Sequence, residues 1–74
     1  DAKTRLQEYL QSRQLALPEY AVVDESGKAH ARSIRVTCTL QDVDLAPTQG
    51  PGSSRRHAEP QAAERMLAQL ELPE

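Results

Sequence analysis

The 74-residue chain has no tryptophan or phenylalanine, two tyrosines, three glycines, one methionine and one cysteine. Without large aromatics, its core must come from Leu, Val, Ile and Ala. A chain this short buries roughly 60% of the surface that its unfolded form exposes. So small a core leaves little room for a cofactor-sized cavity, which points to function on an outer surface. The lone Cys38 excludes an internal disulfide and fits a reducing, cytoplasmic compartment. It falls at an apolar position of a strand pattern, where a thiol behaves as a small buried hydrophobe. No run approaches the ~20 apolar residues of a membrane span, so no membrane partner is expected. Two histidines and one cysteine lack zinc-ligand spacing, and no cofactor is expected in this chain. The opening Asp-Ala-Lys-Thr-Arg has neither an initiator Met nor a signal-peptide pattern, as expected of a piece cut from a larger protein.

Charge is nearly balanced, at −2. A nucleic-acid binder is usually basic overall, so the total argues against that class and only the distribution can rescue it. Acids gather at Glu19, Asp24, Glu25, Asp42, Asp44, Glu64, Glu71 and Glu74. Residues 26–36 carry Lys28, His30, Arg32 and Arg35 with no acid, and residues 45–58 carry Arg55, Arg56 and His57 with none. This segregation allows a basic face on an acidic body.

Periodicity predicts an α+β domain in the order helix, three antiparallel strands, helix, with both helices on one sheet face. Residues 2–14 read as a helix capped by Asp1, with Leu6, Tyr9, Leu10 and Arg13 as its apolar stripe and Arg13 snorkelling. On another face, Thr4, Gln7, Glu8 and Gln11 form a polar and nearly uncharged stripe, suited to reading sugar hydroxyls. Pro18 ends this helix. Residues 20–25 read as a strand and Ser26-Gly27-Lys28 as a turn. Residues 33–40 form the clearest strand, with Ile34, Val36, Cys38 and Leu40 alternating against polar neighbours. Residues 45–49 predict a weak third strand broken by Pro47. The last helix is expected over about 54–72, burying Ala58, Ala62, Ala63, Met66, Leu67 and Leu70.

Gly50-Pro-Gly-Ser-Ser-Arg-Arg-His-Ala-Glu59 reads as a glycine-punctuated turn that delivers two arginines to the start of that helix. Cations there oppose the macrodipole and cost stability locally. Free amides and the positive dipole already favour an anion at such a terminus, and added guanidinium groups fit a phosphate backbone.

The helix order, the Gly27-Lys28-Ala29-His30 turn and the Gly-x-Gly-x-Ser-Arg-Arg-x-Ala-Glu pattern of residues 50–59 resemble a double-stranded-RNA-binding domain. Lys3-Thr4-Arg5-Leu6-Gln7-Glu8-Tyr9-Leu10-Gln11, with Leu17-Pro18-x-Tyr20, is similar to the C-terminal domain of bacterial ribonuclease III. The likeness covers residues 1–72, leaving 73–74 as a tail.

This resemblance implies a partner, double-stranded RNA, recognised by A-form shape over about 16 base pairs. It implies that Thr4, Gln7, Glu8 and Gln11 touch ribose and base edges in one minor groove. Gly27, Lys28, Ala29 and His30 would enter the next, while Ser54, Arg55 and Arg56 meet phosphates across the major groove. It also implies a parent endoribonuclease, dimeric through a nuclease domain absent here, that needs Mg²⁺ and processes duplex precursors such as rRNA. This chain alone would be monomeric and bind without cutting.

Three positions depart from the common pattern. Glu59 stands where many such domains have a third lysine, His57 often has Lys in its place, and Pro60 lies inside the expected helix. Pro60 predicts a kink or loosened turn near residues 56–60. The rival reading is a protein-interaction or dimerisation module of the same fold, with weak or no RNA binding.

Overall fold

The computed structural model describes residues 1–28 and 30–71. Its elements are α1 (Ala2–Ser12), β1 (Glu19–Ser26), β2 (Ser33–Thr39), β3 (Thr48–Gly52) and α2 (Arg55–Glu71). The expected α-β-β-β-α order is therefore observed.

Asp1 caps α1 as the sequence predicted, its carboxylate accepting from the Thr4 amide at 2.8 Å. The helix stops at Ser12, two residues before the predicted end, because Gln14 turns left-handed at φ 57°. The Leu15 amide then donates to the Leu10 carbonyl at 2.9 Å and the Gln14 amide to Gln11 at 3.0 Å. These are the paired bonds of a Schellman cap, here built on glutamine instead of glycine. Leu15 packs into the same cluster as Leu10, which supplies the hydrophobic contact that accompanies such a cap.

The sheet is antiparallel in the order β1-β2-β3. In central β2, Ile34, Val36 and Cys38 are buried and Arg35 is exposed, so the period-two pattern places one face on the core. β1 is exposed along most of its length, and its pairing shifts register between Val22 and Asp24.

The third strand is a correction. It occupies Thr48–Gly52 and not residues 45–49, so Gly50, Pro51 and Gly52 are strand residues. Glycine normally weakens a strand, but close approach of α2 explains its presence here. A Cβ on Gly50 would lie 2.3 Å from the Ala62 nitrogen, and one on Gly52 would lie 2.6 Å from the Ala58 nitrogen. Buried Ala58 and Ala62 supply the matching low surface of the helix. The Thr48 hydroxyl adds a 2.8 Å bond to the Ala62 carbonyl.

α2 lies on β2 and β3, and α1 packs beside α2. Leu6 and Leu10 of α1 join Cys38, Leu40, Ala62, Ala63, Met66 and Leu67 in the main core. Leu70, expected in this stripe, is half-buried at its margin. A smaller cluster holds Ile34, Val36 and Ala58, and Tyr20 packs against both.

Pro60 does not interrupt α2, which is continuous from Arg55 to Glu71. Nor is the first turn open: the Ser54 carbonyl accepts from the His57 and Ala58 amides at 3.1 and 2.9 Å. Residues 72–74, which include the predicted helix end and tail, lie outside the described residues.

Candidate nucleic-acid interface

The polar stripe of α1 is fully presented: Thr4, Gln7, Glu8 and Gln11 are all exposed. Gln7 borders a shallow cleft of about 120 Å³ with Lys3, Leu17, Pro18 and Tyr20. One side of the polar α1 face therefore adjoins an apolar wall.

Ser54 serves as the N-cap of α2. Besides its carbonyl bonds, its hydroxyl lies 3.3 Å from the His57 amide and 3.0 Å from the His57 Nδ1. The Ser53 hydroxyl is 3.3 Å from the same ring nitrogen. His57 thus belongs to a local capping cluster, which accounts for a histidine at a position where Lys is common.

The two arginines of the helix mouth have different surroundings. Arg55 donates through Nε to Glu59 Oε2 at 2.6 Å and through Nη2 to the Tyr20 carbonyl at 2.9 Å. Arg56 is exposed, and no protein partner is seen for its side chain among the described residues. Geometrically, Arg56 is the guanidinium available to an incoming anion.

Glu59 reaches further than its own helix. Its Oε1 accepts from Lys3 Nζ at 2.6 Å, although residue 3 lies in the first turn of α1. Lys3 also sits 5.2 Å from the centroid of the Tyr20 ring. One carboxylate, with its side chain only 12% exposed, thereby joins the first turns of both helices to β1. Burial alone would raise the Glu59 pKa. The hydrogen bonds and charges of Lys3 and Arg55 outweigh that effect and hold it below the ordinary carboxylate value.

The third predicted patch is the tip of the β1–β2 hairpin. Gly27 has φ 88°, and a Cβ there would stand 2.2 Å from the Ala31 carbonyl oxygen, so only glycine fits this turn. The Ala31 amide closes the loop on the Lys28 carbonyl at 2.8 Å. Lys28 and His30 are exposed, while Ala29 lies outside the described residues. At the base of the loop, Arg32 pairs with Glu25.

The structure thus brings two of the three patches together. Thr4 and Arg56 each stand one residue beyond the partners joined by Glu59. The hairpin tip is separate: Ser26 lies about 20 Å along β1 from Tyr20, at roughly 3.3 Å per residue. The long axis of the molecule measures 41 Å.

Sequence reasoning missed Lys3, Tyr20 and the bridging role of Glu59. The i,i+4 spacing of Arg55 and Glu59 was a readable signal, but the bond from Lys3, 56 positions away, left no local trace. It also missed a polar concavity of about 230 Å³ beside β3, where Arg35 and Arg65 flank Gln49, Gly50 and Pro51. Among the described residues, no group of three His, Cys, Asp or Glu side chains could hold a metal.

A helix-sheet-helix layer with a polar α1 face tied to an arginine-bearing α2 mouth defines a small α+β module of the duplex-RNA-binding class. The chain belongs to the double-stranded RNA binding motif family, whose profile matches residues 2–70. It is 54% identical over 71 residues to Ribonuclease 3 of Xanthomonas oryzae pv. oryzae, covering 96% of this chain and 31% of that protein. Against Ribonuclease 3 of Proteus mirabilis the identity is 53% over 72 residues, with 97% and 31% covered. The chain therefore spans about a third of the length of these relatives. A solved structure of Arabidopsis HYL1, described with its implications for miRNA processing, matches with a TM-score of 0.79 and 36% identity. That match covers 96% of this chain and 97% of the other.

Proposed function

We propose that this domain binds double-stranded RNA by A-form shape, as the substrate-holding module of a ribonuclease III-like endoribonuclease. The observation that carries the reading is the joining of the exposed α1 stripe to the Arg56-bearing mouth of α2 by the Lys3–Glu59–Arg55 bridge. A-form RNA sets ribose hydroxyls in a shallow minor groove beside a phosphate-bordered major groove. In this reading Thr4, Gln7, Glu8 and Gln11 contact the first feature. Arg56 and the Ser54-capped turn contact the second. Gly27, Lys28, Ala29 and His30 reach a further minor groove from the hairpin tip.

Arg55 takes a different part from that implied by the resemblance. With two of its donors occupied inside the protein, it supports the surface, while Arg56 makes the direct phosphate contact. Replacing Arg56 with Ala should weaken binding to a ~20-base-pair RNA duplex. It should also reduce the slope of log affinity against log salt by about 0.7–0.9, the value of one phosphate contact. A gel-shift titration at several salt concentrations measures both; an unchanged slope rejects the phosphate role.

The parent enzyme would cleave duplex precursors, rRNA among them, in the cytoplasm and as a homodimer formed by its nuclease domain. Mg²⁺ would be held in that domain. The isolated chain would be a monomeric, non-cleaving binder.

One observation disfavours dimerisation through the β3 edge of the sheet. Arg65 Nη1 donates to the Gln49 carbonyl at 2.5 Å, occupying an acceptor on the free side of β3. Pro51, two residues on and of the same orientation, has no N–H to offer. Both features blunt the edge against pairing with another strand.

A further inference from the structure

We infer that Glu59 is a positioning residue of the RNA surface, setting the separation between the hydroxyl-reading face of α1 and the phosphate-contacting mouth of α2. The inference rests on the duplex-RNA reading and deepens it.

Simple electrostatics gives Glu59 the opposite role. A carboxylate near a phosphate-binding edge repels the ligand, so its removal should tighten binding. The geometry removes that objection. Glu59 is mostly covered, and its two oxygens receive separate cations, Lys3 Nζ and Arg55 Nε, each at 2.6 Å. Arg55 extends the connection to the Tyr20 carbonyl, and Lys3 covers the Tyr20 ring. One side chain thus holds α1, α2 and β1 at a common point.

Without that carboxylate, Lys3 and Arg55 become like charges facing the same gap. The first turn of α1 then loses its polar anchor, and the nearest fully buried residue of that helix is Leu6, beyond Thr4. Thr4 and Arg56, one residue past each anchor, would no longer be held at a fixed spacing. A rigid duplex presents hydroxyls and phosphates at set separations, so lost registration weakens binding even as net charge becomes more favourable. Sites depend on such supporting contacts for their geometry.

The test compares Glu59→Gln, which removes the charge, with Glu59→Asp, which keeps it on a shorter arm that cannot span both cations. Each is titrated with a ~20-base-pair RNA duplex and with inorganic polyphosphate, a flexible polyanion that requires no registration. Circular dichroism at the binding temperature verifies folding. Both variants are expected to lose about 3- to 10-fold in duplex affinity while polyphosphate binding is unchanged or stronger. Unchanged or tighter duplex binding by the variants overturns the inference alone. So does a parallel loss for both ligands, which would mark general damage. If the unmodified domain binds no duplex, the functional reading itself fails and takes this inference with it.

Discussion

At the scale of single residues, the acid Glu59 and the phenol Tyr20 matter more than their chemistry suggests. The Glu59 carboxyl titrates below its ordinary value of 4.5, because burial, which opposes ionisation, is outweighed by Lys3 and Arg55. For a group whose folded pKa is depressed, the stabilisation is complete above the unfolded pKa. It disappears as pH falls through the folded value. Wild type should therefore exceed Glu59→Gln in stability at pH 7 and converge with it as pH falls through that lowered value. Both cations are substantially exposed, so the difference at pH 7 should be about 0.5–1 kcal/mol. Urea midpoints at pH 7 and pH 3 measure it, and a constant gap would show that charge plays no part. Tyr20 presents another kind of exception. Its hydroxyl is buried with no hydrogen-bond partner among the described residues, and burial, with Cys38 beside it, pushes its pKa up. Removing a buried and unpaired hydroxyl while keeping the ring costs little, since the desolvation penalty goes with it. Tyr20→Phe should leave stability unchanged or raise it by up to about 1 kcal/mol in thermal melts, and leave the Arg55 bond to the Tyr20 carbonyl intact.

At the scale of elements, β3 and α2 form the tightest joint of the fold. Gly50 is buried beneath the backbone of α2, so an added methyl has no flexible neighbour to displace. Gly50→Ala should destabilise the domain by about 3 kcal/mol, the upper part of the overpacking range. A chemical denaturation curve would show this as a lower midpoint at unchanged slope. The same joint explains where sequence reasoning stopped. α1 and β2 were legible because burial follows their own period: Leu6 and Leu10 on one helical face, Ile34, Val36 and Cys38 on one strand face. β3 was not, because its glycines serve a neighbouring helix 5–12 residues further along and resemble a turn when read locally. Pro60 lies within a continuous helix, since one held by sheet contacts and by Ser54 carries a missing N–H without ending there. Among the candidate site residues, Thr4, Gln7, Glu8, Gln11, Lys28, His30 and Arg56 are exposed as expected. The commitment of Arg55 to Tyr20, 35 positions away, could be read only from the folded chain.

At the scale of the whole molecule, an acidic protein is asked to hold a polyanion, and the distribution of its cations decides whether it can. Arg5 pairs with Glu71, Arg32 with Glu25 and Arg55 with Glu59, while Arg13 stacks 3.6 Å over the Tyr9 ring. Much of the positive charge is thereby neutralised internally or engaged with a ring. Affinity that came from bulk charge alone would be weak, and would fall equally on any nucleic acid. In the proposed reading, selectivity comes instead from the uncharged groups of α1, whose hydroxyl and amide side chains both donate and accept. Those groups complement 2′-hydroxyls, which DNA lacks, across the wide minor groove that only the A-form presents. A 20-base-pair DNA duplex should therefore compete at least 10-fold less well than RNA of the same sequence at equal salt. A Gln7→Ala and Gln11→Ala double variant should narrow that gap by lowering RNA affinity while leaving the DNA affinity nearly unchanged. Competition titrations with labelled RNA read both quantities. Equal competition by the two wild-type duplexes would show that shape and hydroxyls are not being read. An undiminished gap in the double variant would move the discrimination away from α1 and onto the hairpin carrying His30.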